Sequence, residues 1–335
     1  MKPNQSIFLF LIFFLTACQP DRTFPEVKKL TEYKATEFTP TLENEISKDK
    51  NSVYCVTLLY AWDEIRKVIN EPLKISKDAE DLTLLNDSKS YIDVLKSDEY
   101  SASGTVENNL ISARSEFKKS LPFEVKLENF ENELMFNDER VPAFGVNGYS
   151  EDELFRNVDI LYYKNDNHFI VKLIPTDENH EIILFKSTET YPTMTAMNEA
   201  ARQLIKKGKQ ERENEKLIWK YYFDDEDELM IPKFSFNIET NYLTLEGKKI
   251  KTPNQGFEIT KAWQRTAFIL DEYGAEIESE AIVEASQDAA QQEYEKPQPK
   301  KMFFDKPFFT MLQRTDAKFP YFVMWTVNTE LMQNQ

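Results

Sequence analysis

A chain of 335 residues with 41% hydrophobic content is long enough for one large core or two smaller ones. Its net charge of −17 argues against nucleic-acid phosphates as partners. Seven glycines form no phosphate-cradling loop and no Gly-x-Ser-x-Gly elbow, and the two histidines, His168 and His180, have no cysteine or second histidine at metal-ligand spacing. No metal, cofactor or catalytic residue is expected, none of the carboxylates stands out as a pair, and the chain reads as a non-enzyme and a monomer.

The chain opens with Lys2, an apolar run over residues 7–15, and Leu15-Thr16-Ala17-Cys18. The run is too short to span a bilayer and ends in small residues, as a secretory signal does. A cysteine at the cleavage point marks a bacterial lipoprotein signal, so residues 1–17 are expected to be removed and Cys18 to carry the lipid, with the membrane as a partner through that anchor. Acyl chains on Cys18 would hold stably where one alone would not. Gln19 follows, with no Asp beside the cysteine, which points to the outer membrane of a cell envelope. Residues 18–50, polar and carrying Pro20, Pro25 and Pro40, read as a membrane tether with one short helix near 42–46; residues 51–335 read as the folded domain.

Within that domain, residues 53–68 start as a strand and continue as a helix, because Leu58, Leu59, Trp62, Ile65 and Ile69 recur at helical spacing. Cys55 falls in the apolar part and reads as a buried structural thiol, and with only one other cysteine there is no disulfide framework. Residues 92–95 suggest a helix and 101–104 a loop. Strands are predicted over 110–123, 130–136 and 140–144, and a hairpin over 159–163 and 169–175, where β-branched residues alternate. His168 is placed at the hairpin turn and His180 in a polar loop. Residues 197–216, rich in Ala, Glu, Lys and Gln, predict a helix. Residues 229–236 read as a strand.

The last quarter is the most distinctive. A strand ending in Asp271-Glu272-Tyr273-Gly274-Ala275-Glu276 is followed by a long polar stretch, then by Phe304-Asp305-Lys306-Pro307-Phe308 and Pro320-Tyr321-Phe322-Val323-Met324. Loops of that length in compact domains are uncommon and are usually functional or disordered. With Leu229-Met230-Ile231-Pro232-Lys233-Phe234 upstream, this collinear set resembles the serpins, over roughly residues 110–330.

The resemblance implies an α+β fold of mixed β-sheets packed with helices, with a long exposed reactive-centre-like loop over residues 275–302. It implies hinge residues Glu272, Gly274, Ala275, Ile277, Ser279 and Ala281, a scissile bond between Asp288 and Ala289, and a target serine or cysteine protease as partner. In inhibitory serpins the cleaved loop inserts as a new central strand of the main sheet. Alternation fits that need: Ala275, Ile277, Ser279, Ala281, Val283 and Ala285 make one small, largely apolar face, and Glu276, Glu278, Glu280, Ile282, Glu284 and Ser286 make the other, which is mostly charged. The chain departs from the family where Ser-Pro-x-Ser is replaced by Cys55-Val56-Thr57-Leu58, which argues against insertion. The same loop, rich in Ala, Glu and Gln from 278 to 295, also suits a helix that does not insert. Two functions stay open: a protease inhibitor on a lipid anchor, and a non-inhibitory surface lipoprotein on a serpin-like or other α+β scaffold.

Overall fold

The computed structural model describes residues 22–107, 110–148, 150–224, 226–280 and 298–333. In chain order the strands and helices are β1 Lys28–Lys29, β2 Thr36–Phe38, β3 Asn51–Cys55, α1 Thr57–Ile69, β4 Lys74–Ile75, α2 Glu80–Asp87, β5 Ser101–Glu107, β6 Leu110–Pro122, β7 Glu128–Phe136 and β8 Glu139–Asn147. There follow β9 Val158–Asn165, β10 His168–Leu173, β11 His180–Lys186, α3 Met194–Glu211, β12 Glu228–Pro232, β13 Phe234–Asn241, β14 Lys249–Lys251, β15 Gly256–Glu258, β16 Trp263–Asp271, β17 Gly274–Glu280, β18 Lys301–Phe303, β19 Phe308–Arg314 and β20 Pro320–Thr326. The fold is α+β with mixed sheets, as expected.

The described strands build four sheets. The main sheet has the order β1-β13-β16-β17-β6-β5, and a seven-stranded sheet runs β2-β3-β20-β19-β11-β10-β9. The two pack through aromatic rings: Phe268 lies 4.6 Å from Phe322, Phe117 lies 5.6 Å from Tyr321, and Phe234 lies 6.1 Å from Phe308, centroid to centroid. Rings at these separations combine large buried area with favourable edge and offset geometry. A four-stranded sheet, β18-β12-β8-β7, and a three-stranded one, β15-β14-β4, complete the set.

Helix α1 lies beneath the main sheet. Its buried residues Leu58, Leu59, Trp62 and Ile69 face inward at three- and four-residue spacing, and Asn70, left-handed at φ 49°, ends it. Helix α3 begins at Thr193, whose hydroxyl accepts from the Ala196 N–H, and it ends five residues before the predicted limit.

Several expectations are corrected. The described part of the predicted tether, residues 22–50, lies on the body: Phe38 and Leu42 are buried, β2 pairs with β3, and β1 pairs with β13. No helix forms near 42–46, where Asn44 Oδ1 instead accepts from both the N–H and the hydroxyl of Thr41. Residues 92–95 are turns, and the helix of that region is α2, where Leu82 and Leu85 bury one side. Residues 101–104 belong to β5, because the hairpin with β6 supplies the ladder that Ser-Ala-Ser-Gly does not favour alone. His180 is not in a loop: it opens β11, whose Ile182-Ile183-Leu184-Phe185 run lies buried between β10 and β19. His168 opens β10 and is likewise buried.

Candidate functional site at strand β17

Strand β16 ends at Asp271 and turns through Glu272 and Tyr273 into β17, which lies between β16 and β6 and runs antiparallel to both. Gly274 makes the turn possible. Its φ is +124°, and a Cβ there would lie 2.3 Å from the Leu121 carbonyl oxygen, so neither the conformation nor the space admits a side chain. The Tyr273 N–H donates to Asp271 Oδ1 at 2.9 Å, and the Phe123 and Leu127 N–H groups donate to the Tyr273 and Glu272 carbonyls.

The turn is held by charge on both sides. Glu272, 6% exposed, pairs with Lys233 Nζ at 2.5 Å. Arg22 donates from Nη1 to Asp271 Oδ1 at 2.7 Å and to the Gly274 carbonyl at 3.1 Å, and from Nη2 to Glu276 Oε1 at 3.0 Å. Burial raises the Asp271 carboxyl above its usual range despite the opposing pull of Arg22.

Along β17 the side chains alternate. Ala275, Ile277 and Ser279 face the core at 0%, 0% and 1% exposure. Burying Ile277 alone is worth about 1.5–3 kcal/mol. Glu276 and Glu278 face outward. Ser120 donates to Glu276 at 2.6 Å, and Glu278 pairs with Arg265 at 3.0 Å and Lys118 at 3.3 Å.

Ser279, the polar member of the inner face, sits in a buried hydroxyl and amide cluster. Its Oγ lies 3.2 Å from Thr57 Oγ1 and 3.0 Å from Thr266 Oγ1, and Gln264 Nε2 donates to it at 3.5 Å. Gln264 in turn accepts from the Tyr242 hydroxyl. Thr57, Gln264 and Thr266 are fully buried, so the cluster substitutes protein hydroxyls for water at the end of the strand. Cys55 lies beside it. Its thiol is pushed up to about 12 by burial, which outweighs nearby hydrogen bonds, so it stays protonated and unreactive.

Residues 274–280 are therefore part of the sheet rather than of an exposed loop, and residues 278–280 are strand rather than helix. Lys301–Phe303, expected at the loop's far end, form β18, anchored by a buried pair between Lys300 and Asp227. The structure brings Glu272, Gly274, Ala275, Ile277 and Ser279 together at one strand. Ala281, Asp288, Ala289 and Cys18 lie outside the described residues. Sequence reasoning missed Arg22, Gln264 and Thr266, none of which stands in a motif, and it missed the role of Lys233, which stands in the Pro232-Lys233-Phe234 segment without any sign of its partner. Thr57 carries a signal, as the one hydroxyl inside the Cys55–Leu58 run. Among the described residues no group of His, Cys, Asp and Glu could hold a metal ion.

Comparison with known proteins gives fold-level likeness alone. No family model matches the sequence, and no curated protein matches it. Solved structures that resemble it include a cleaved serpin, Serpin 42Da, at 11% identity and TM-score 0.37, covering 67% of this chain and 56% of that one. The chain thus spans little more than half of that serpin's length. Thyroxine-binding globulin in complex with thyroxine matches at 10% identity and TM-score 0.38 over 83% of this chain and 74% of its own. A serpin from the trematode Schistosoma haematobium matches at 12% and 0.37 over 67% and 58%. The similarity to serpins is one of fold, over part of their length.

Proposed function

We propose that the chain is a serpin-like lipoprotein of a bacterial cell envelope, anchored through Cys18, that inhibits a serine or cysteine protease by cleavage and insertion of the segment after Glu280. One observation carries the reading. β17 sits as a central strand between β6 and β16, with small and apolar side chains inward and carboxylates outward. Strand addition of this kind draws affinity from main-chain hydrogen bonds and specificity from alternate side chains. Past the last paired residue of β17, β6 continues to Leu110 beside a cleft, and among the described residues it pairs there with β5 alone. On this reading residues following Glu280 extend along β6 after cleavage, and Thr57 and Ser279 place two hydroxyls 3.2 Å apart at that end of the strand.

One observation favours the non-inhibitory alternative. Seven residues of β17 already occupy the sheet in the intact chain, which leaves less travel to drive a trapped protease. A melting curve of residues 22–335 before and after limited proteolysis between residues 281 and 297 separates the two. Insertion raises the melting temperature by tens of degrees, through added core and ladder. An unchanged or lower melting temperature removes the inhibitor reading and leaves a binding scaffold.

A further inference from the structure

The cleft beyond β17 has a chemistry of its own. It encloses about 760 Å³ between the first half of β6, the inner face of α1, and the segment from Leu245 to Trp263. That volume is in the range that takes a drug-sized molecule. Its walls are mostly apolar, with Ile65 on α1, Ile111 and Ala113 on β6, and Ile250 and Phe257 opposite.

The lining also carries Ser112, Arg114, Glu258, Thr260 and Lys261, and two further polar atoms of its residues stand out. Trp62 Nε1 and Ser115 Oγ both belong to residues that line the cleft, both are buried, and neither has a hydrogen-bond partner among the described residues. Trp62 is 5% exposed and Ser115 is 1% exposed. Buried polar groups are rarely left unpaired, and a pair of donors in an apolar cleft is the arrangement that fixes the orientation of a small ligand. The indole N–H can only donate, and the hydroxyl can donate as well, so the matching group is an acceptor oxygen.

We propose that this cleft binds a small, uncharged, largely apolar molecule carrying a carbonyl or ether-type oxygen, with the oxygen accepting from Trp62 Nε1–H and Ser115 Oγ–H. A carboxylate fits less well at these two buried donors, because neither is a cation, the lining cations Arg114 and Lys261 are exposed rather than buried beside them, and burial of an unpaired charge is costly. The inference does not rest on the inhibitor reading, since it concerns the intact chain.

The probe is decan-2-one, a methyl ketone with one acceptor and an apolar tail, titrated into the intact chain and followed by calorimetry and tryptophan fluorescence. Trp62 and Trp263 both line the cleft and report on it. Saturable binding at about micromolar concentration is expected. Ser115→Ala removes one donor with little change of shape and should weaken binding about fivefold, and Trp62→Phe, which removes the other donor together with one ring of the cleft wall, should weaken it at least as much. Ala113→Trp should abolish it by filling the cleft. No saturable binding to the intact chain, or binding that all three variants leave unchanged, overturns the proposal. Repeating the titration after cleavage between residues 281 and 297 keeps the two readings apart. Loss of binding on cleavage supports both the cleft and strand insertion. Binding retained on cleavage supports the cleft and counts against insertion.

Discussion

At the scale of single residues, the turn between β16 and β17 depends on Gly274. Its φ of +124° lies where side chains are strained, and its missing Cβ leaves room for the Leu121 carbonyl. Gly274→Ala is expected to destabilise the fold by about 1–3 kcal/mol from backbone strain, with the steric clash adding to it. Urea unfolding measures this, and an unchanged midpoint would show that the turn adopts another conformation in solution. The glycine is legible in the sequence, since it stands in an acidic run between a strand and a polar stretch. The partners that hold the turn are not. Arg22 and Lys233 reach Asp271 and Glu272 from about 250 and 40 positions away, and no local pattern encodes contacts at that separation.

At the scale of elements, β17 is the strand whose character can be tested by one substitution. Ile277→Glu puts a carboxylate on the fully buried face, where an unpaired charge costs several kcal/mol. The strand should leave the sheet rather than bury it. Hydrogen exchange would then show protection lost at the amides of β17 while those of β19 and β20 keep theirs. Loss across every sheet would instead mean that β17 is integral to the whole core. The alternation of Ala275, Ile277 and Ser279 against Glu276 and Glu278 made the two faces of this strand readable from the sequence. Strands dense in β-branched and aromatic residues, such as β9, β10 and β20, were readable for the same reason. β5 was not, because Ser101-Ala102-Ser103-Gly104 has weak strand preference and owes its form to pairing with β6. β11 was overlooked although Ile182-Ile183-Leu184-Phe185 is a short buried run, since its polar neighbours from Asp177 to Glu181 masked it. A fully buried strand has no alternation to reveal it. In the site, the inner face of the strand was legible, whereas the Thr57, Thr266 and Gln264 cluster around Ser279 arises only when three distant segments meet.

At the scale of the whole molecule, a charged network joins the two large sheets. His180, with a fully buried side chain, lies 2.8 Å from Glu99 Oε1 and 3.2 Å from the Tyr321 hydroxyl, and Glu99 also pairs with Lys119 at 2.9 Å and Arg314 at 2.8 Å. Burial holds the His180 ring below its usual 6.5, outweighing the pull of Glu99, and burial does the same to His168. Glu99 is lowered as well, but against burial rather than by it. Burial alone would raise it, but the Lys96 N–H, Lys119 and His180 bring it from 4.5 to about 2. Both kinds of group give the same sign. Each histidine binds its proton more readily in the unfolded chain, so stability is complete above about pH 6.5 and falls as the pH drops below it. Glu99 also binds its proton more readily when unfolded, so its contribution is complete above about 4.5 and is lost between there and about 2. Unfolding midpoints measured from pH 8 to 3 should decline in two stages, and His180→Gln should flatten the first. A first stage of unchanged slope in that variant would assign it to His168 alone.

The Arg22 contacts have one more implication. Arg22 stands four positions after Cys18 and is clasped to Asp271, Gly274 and Glu276. Four extended residues reach at most about 14 Å. On the proposed lipid anchor, the turn that starts β17 would therefore ride at the height of the headgroups, and the bilayer itself would be a wall of the site. Which proteins can reach that turn would then be decided by clearance above the membrane, so that a bulky soluble enzyme is kept away from it and one moored in the same leaflet is not.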